Sequence, residues 1–173
     1  MVNNWFAELG RFLLFALLYV ILMVAYGFVL QQMGIIPIGG KKAPTFVFLL
    51  FFQWWYISQF PKNHQGEKKH FLVYFTLQYI LIGITAICSA FFLYYFFQSA
   101  TGIELLDAYV QQSLLELNFY KEIIVNQEGG EYYNSLHAGI KSIDAYSIAK
   151  DDFSQKIALG FLPNLLISLY YKK

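Results

Sequence analysis

The sequence predicts an all-α protein, an integral membrane four-helix bundle with an extracytoplasmic helical insertion between the third and fourth spans. Three observations lead there. The stretch Phe71 to Gln98, FLVYFTLQYILIGITAICSAFFLYYFFQ, contains not one Asp, Glu, Lys, Arg or His. At about 1.5 Å of rise per residue it can cross a hydrocarbon core roughly 30 Å thick. Residues of hydrophobic type make up 58% of the chain and charged ones only 13%, too few to cover a soluble surface of this size. The charge is also segregated: nine of the eleven acidic residues fall between Ser99 and Ser154.

Met1 to Gly10 reads as a short head, followed by Arg11 and the first span at about 12–33, FLLFALLYVILMVAYGFVLQQM. This run is longer than a signal-peptide core and no small-x-small cleavage site follows it, so it reads as a retained span. Gly34 and Pro37 stop the helix, and GIIPIGGKK (34–42) forms a tight connection between antiparallel spans. The second span, 44–60, is near the short limit for crossing; Trp54, Trp55 and Tyr56 close to its end suit an interfacial aromatic belt. The basic loop PKNHQGEKKH (61–70) contains His64, Glu67 and His70 at three-residue spacing, but Gly66 interrupts it and Lys68 and Lys69 repel a cation. It reads as a solvated, membrane-anchoring loop without a metal.

The third span, about 71–98, carries Gly83, Ala86, Ser89 and Ala90 at three- and four-residue spacing. Small residues there let helix backbones approach in lipid, so these four are the expected helix-packing positions. Gln78, Thr85 and Ser89 share a stripe that reads as interhelical hydrogen bonding. Cys88, the single cysteine, reads as a packing residue. In the acidic segment, 99–154, Ile103, Leu106, Val110, Leu114 and Leu117 recur at helical spacing and predict an amphipathic helix over 103–125. NQEGG (126–130) breaks it. A second helix through Leu136, Ile140, Ile143, Tyr146 and Phe153 is expected to run without a turn into the last apolar run. That run, IALGFLPNLLISLYY, makes the fourth span at about 156–171, with Lys156 snorkelling at its edge; a re-entrant or interfacial helix is the alternative.

Four spans put both termini on one side. Arg11, Lys62, Lys68, Lys69, Lys172 and Lys173 share that side against Lys41 and Lys42 on the other, which places the termini in the cytoplasm and, for a bacterial cell, the chain in the inner membrane.

The closing ALGFLPNLLISLYYKK and the run FLVYFTLQYILIGITAICSAFFLYYFF leading into the acidic segment resemble a family of small Bacteroidota membrane proteins known as domain of unknown function 4199. The resemblance implies this multi-span layout over nearly the whole chain. It brings no activity and no site residues.

For function, the sequence argues by exclusion. No G-x-S-x-G, H-E-x-x-H or paired catalytic carboxylates occur, and His137 stands alone, so an enzyme is not expected and no cofactor is implied. The net charge of +1, with a single arginine, gives no reason for nucleic acid as a partner. A coupled transporter usually leaves ionisable groups inside its bundle, and the first three spans offer none of that kind. The expected role is a structural or accessory subunit in the lipid bilayer, packing against a protein partner through Ile103, Leu106, Val110, Leu114 and Leu117 outside and the small residues within. A small homo-oligomeric channel or transporter component is the alternative.

Overall fold

A computed structural model describes residues 2–63 and 70–172, with side-chain surroundings over 6–60 and 70–172. Among the described residues the protein is all-α, with no strand. The helices are α1 (Val2–Gln32), α2 (Thr45–Asn63), α3 (Phe71–Phe96), α4 (Ala100–Phe119), α5 (Lys121–Glu128), α6 (Gly130–Lys141) and α7 (Ala145–Tyr171), with a 3₁₀ turn at Gly39–Lys42. The chain divides into two compact units, Met1–Phe92 with Lys150–Lys173, and Leu93–Ala149.

The first unit holds α1, α2, most of α3 and most of α7. Its aromatic core gathers Phe12 of α1, Tyr56, Ile57 and Phe60 of α2, and Tyr74, Leu77 and Leu81 of α3. Phe15 meets Phe52 and Trp55 edge to ring, with centroids 5.6 and 5.4 Å apart, so α1 and α2 interlock through aromatic side chains. Two helical segments, Phe6–Gln32 and Phe71–Phe96, are long and apolar enough to cross a membrane. Among the other long helices, α2 and α7 fall short of that measure. The uncharged part of α2 ends before Lys62, and α7 carries Lys150, Asp151, Asp152 and Lys156 in its first half.

Several boundaries differ from the sequence reading. The N-terminal head is helical, because α1 begins at Val2 and Arg11 is simply one turn past Glu8 on the same helix. The tight connection holds: Gly34 (φ 73°) and Gly39 (φ 63°) take left-handed backbone that a side chain resists, and the Thr45 hydroxyl donates to the Lys42 carbonyl at 2.7 Å. The expected single helix over 103–125 is two helices that meet at Tyr120. The cause is tertiary: the Tyr133 hydroxyl of α6 donates to Asn118 Oδ1 at 2.9 Å, and α4 packs on both α5 and α6. The break in NQEGG falls on Gly129 (φ 91°).

The second helix of the acidic segment does not continue into the last run. It stops at Lys141, and α7 starts afresh behind Asp144. The backbone N–H of Ser147 donates to Asp144 Oδ1 at 2.7 Å, while the N–H of Asp144 donates to Ser147 Oγ at 2.8 Å. This reciprocal capping satisfies donors that a helix start leaves orphaned. Those bonds from Ser147 hold the Asp144 carboxyl below the usual carboxylate range. A similar cap opens α4, where Ser99 Oγ accepts from the Gly102 N–H at 3.2 Å. A Cβ at Gly102 would lie 2.0 Å from the Phe96 carbonyl oxygen, so this turn requires glycine.

Candidate functional site

The first unit buries three groups of polar side chains, each bridging helices distant in sequence. The first gathers around α7. Lys156 and Asp152, one helical turn apart, are 0% and 1% exposed and form a close ion pair. Asp152 Oδ2 also accepts from the Ser89 hydroxyl of α3 at 2.9 Å. Lys42 of the 3₁₀ turn lies 3.7 Å from Asp152 Oδ1 and 3.2 Å from Asp151 Oδ2. Asp151 is half-exposed and takes two bonds of 2.8 Å from the Gln155 amide. The Lys156 ammonium stands over the rings of Tyr19 in α1 and Phe46 in α2, 5.1 and 6.0 Å from their centroids, which favours a cation. Two lysines and two aspartates thus neutralise one another at one place.

The second group lies further along α7. Gln78 Nε2 of α3 donates to Ser168 Oγ at 2.7 Å, Ser168 Oγ donates to Asn164 Oδ1 at 3.1 Å, and Asn164 Nδ2 donates to the Phe75 carbonyl at 3.1 Å. Gln78, Asn164 and Ser168 are fully buried. Gln53 of α2 is also fully buried, and neither its amide oxygen nor its amide nitrogen has a protein hydrogen-bond partner; Gln78 Oε1 is likewise unpartnered. The third group joins α1 and α2: Glu8 accepts from the Tyr56 hydroxyl at 2.7 Å through Oε2 and from Arg11 Nη1 at 2.7 Å through Oε1. A cleft of about 300 Å³ beside it is lined by Arg11, Leu14, Phe15, Trp55 and Gln59, among others.

These positions revise the sequence reading in four places. Lys156 does not snorkel; its ammonium is enclosed and paired. Tyr56 turns inward to Glu8, whereas Trp54 and Trp55 are exposed. Ser89 is an ion-pair ligand as well as a small packing residue. Gly83 has open space where a Cβ would stand, whereas at Gly160 of α7 a Cβ would lie 3.0 Å from Ile82 Cδ1, so the close approach to α3 uses Gly160. Ala86 is fully buried and Ala90 half-buried; Thr85 is buried with Gln78 and Ser89, so that stripe faces inward.

In the second unit, Leu117 is buried by its own chain and offers nothing to a partner, while Leu106, Val110 and Leu114 are half-buried and Ile103 exposed. More exposed than Ile103 are Leu115, Phe119 and Ile123, which follow one another at four-residue intervals with 71%, 82% and 53% exposure. His137 stacks on Tyr133 at 6.2 Å between centroids. His64 and Glu67 lie outside the described residues. Among those described, no three His, Cys, Asp or Glu side chains are placed to hold a metal ion.

No protein family, curated protein or solved structure matches this chain. The main features missed in sequence are Asp152 and Lys156. Their i,i+4 spacing at the mouth of an apolar run is a readable ion-pair signal, hidden because Asp152 falls within the acidic segment and Lys156 within the apolar run's edge.

Proposed function

We propose that this is a small multi-pass membrane protein, with α1, α2, α3 and the Lys156–Tyr171 part of α7 as four spans and both termini cytoplasmic, acting as an accessory subunit beside a larger membrane protein. The membrane half of the reading is supported by α1. Its apolar stretch leaves Leu14, Leu17, Ile21 and Phe28 more than half exposed, and only 22% of its most apolar window is buried. A core helix of a soluble protein would be covered by its neighbours, and water does not favour so long an apolar face. The charged first half of α7 is compatible with a span that begins at Lys156 because Lys156 and Asp152 pair with each other inside the unit.

The accessory role is carried by one observation, the bare row Leu115, Phe119 and Ile123 in a unit otherwise rich in charge. The test is a mild-detergent pull-down of the tagged chain with native mass measurement. A stoichiometric larger membrane protein that is lost on Phe119→Asp supports the reading; a pure homo-oligomer overturns it. A second reading, a small transporter component, is favoured by the enclosed Asp152–Lys156 pair, because ionisable groups inside a bundle commonly mark ion or proton pathways.

A further inference from the structure

Resting on the membrane half of the proposed function, we infer that the cleft between α1 and α2 holds the phosphate headgroup and first chain carbons of an anionic glycerophospholipid.

The cleft has a polar rim and an apolar end. Arg11 and Gln59 form the rim, and Leu14, Phe15 and Trp55 line the other end. The two helices run antiparallel: ring centroids are 5.1 Å apart for Phe12 and Tyr56, 5.4 Å for Phe15 and Trp55, and 6.5 Å for Tyr26 and Phe48. One turn onward from Arg11 in α1 therefore lies beside one turn back from Gln59 in α2, about 6 Å from rim to apolar end. Under the four-span reading this gradient matches the bilayer. Arg11 directly precedes the uncharged run Phe12–Met33, and Gln59 falls just before Lys62 at the end of the uncharged part of α2. The rim is then at the level of the headgroups, and Leu14, Phe15 and Trp55 are at the level where the acyl chains begin.

The rim can hold an oxyanion. Arg11 is the single arginine of the chain, and a planar guanidinium meets phosphate through parallel N–H bonds that an ammonium cannot make. It donates to Glu8 through Nη1, and its remaining N–H donors have no partner among the described residues. Glu8 orients the guanidinium without occupying the ligand's place. It is buried, it is not part of the lining, and its two oxygens are taken by Arg11 and the Tyr56 hydroxyl. The Gln59 amide is half-buried and also has no hydrogen-bond partner among the described residues, so it offers the headgroup a second donor.

The surroundings select a lipid over a free ion. Inorganic phosphate gains nothing from Leu14, Phe15 and Trp55, whereas a lipid covers them with its own chain. A volume of about 300 Å³ is at the small end of ligand sites, enough for a headgroup and the carbons next to it, with the rest of the chains left in the bilayer. In the four-span reading Lys62, Lys68, Lys69 and Lys172 share the side of Arg11, against Glu67 in the same loop, which favours an anionic headgroup over a zwitterionic one.

The experiment uses the full-length protein in phosphatidylcholine vesicles. Flotation and resistance to alkaline extraction are scored first; failure there overturns the membrane reading and, with it, this one. With insertion established, tryptophan fluorescence reads the cleft. Trp5→Phe with Trp54→Phe leaves Trp55, which lines it, and Trp5→Phe with Trp55→Phe leaves Trp54, which is exposed and outside the lining. Quenching by phosphatidylglycerol brominated in the upper part of its chains is compared with quenching by phosphatidylcholine brominated at the same carbons. At Trp55 the expected preference for phosphatidylglycerol is about fivefold, the factor one basic group gives near an anionic lipid, with a clearly smaller preference at Trp54. Arg11→Gln should abolish the difference between the two tryptophans, and Arg11→Lys, which keeps the charge without the planar fork, should remove most of it. If Arg11→Gln does not fold because Glu8 is left unpaired, Glu8→Gln with Arg11→Gln keeps a neutral pair and decides in its place. Equal preference at both tryptophans, or a Trp55 preference kept whole in Arg11→Lys, marks general surface charge and overturns the site. Inorganic phosphate added at constant ionic strength should leave the Trp55 preference intact; its loss would mark a free-phosphate site and overturn the lipid assignment.

Discussion

The two units use the same polar side chains in opposite ways. In the first, polar groups turn inward and find partners far away in sequence: Lys42 meets Asp151 across 109 residues, Gln78 meets Ser168 across 90, and Ser89 meets Asp152 across 63. In the second, and at the start of α7, they stay at the surface and act locally: Ser99 caps Gly102, Asp144 caps Ser147, and Asn118 takes the Tyr133 hydroxyl from only 15 residues away. The difference teaches what each unit is short of. The first has apolar surface in excess and uses scarce polar groups to fix which helices meet and at what register. The second has enough water-compatible surface and uses polar groups to start and stop helices.

The contrast predicts an order of mutational effects. Lys156→Met should be the most damaging, about 3–5 kcal/mol in unfolding stability, because it leaves the enclosed Asp152 without its close counter-charge, with only Lys42 at 3.7 Å. The double variant Asp152→Leu with Lys156→Met should lose much less than the sum of the two single changes; an additive loss would break the view that they act as a pair. In the second unit the comparable weak point is backbone rather than charge. Gly102→Ala should cost more than about 2 kcal/mol, since its Cβ cannot avoid the Phe96 carbonyl, whereas Gly139→Ala, with open space around it, should not destabilise. Gly160→Ala should cost about 1–3 kcal/mol by pressing on Ile82, while Gly83→Ala should be neutral or stabilising by up to about 1 kcal/mol. Thermal unfolding in one detergent ranks all four glycine variants.

The smallest effect is a pH dependence in the start of α7. The Asp144 carboxyl is held below its ordinary range by its bonds from Ser147, so its capping contribution is present above the ordinary carboxylate pKa and is lost as pH falls through the lowered folded value. Helicity measured by circular dichroism across acidic pH should therefore fall earlier in wild type than in Asp144→Asn, which keeps an acceptor that does not titrate. Identical curves would remove the cap from the comparison.

The all-α class was legible in the sequence, and so were the long helices, because the uncharged run from Phe71 to Gln98 and a helical apolar period are local signals. The Gly34 and Gly129 breaks were legible for the same reason. The Tyr120 break was not, because it follows from Asn118 being held by a side chain of another helix. The turn before α7 could have been found in Asp144 and Ser147, three residues apart and ahead of a helical run. The candidate site was half legible. Gln78, Thr85 and Ser89 declared an inward stripe by spacing alone, but the partner of Ser89 lies in the next long helix, and no period within α3 points to it. Gly83 and Gly160 make the same point: the composition of one helix names residues able to pack closely, and only the neighbour decides which one does.

The 109 residues between Lys42 and Asp151 also set a schedule for biogenesis. At roughly 5–20 residues per second, α7 leaves the ribosome about 5–20 s after the 3₁₀ turn. Lys42 waits throughout that interval, and Gln78 and Ser89, made later, wait across 90 and 63 residues for the side chains that will meet them. Under the four-span reading, three helices would enter the bilayer as an incomplete bundle with its polar face open. The arrival of Asp152 and Lys156 is the event that closes it.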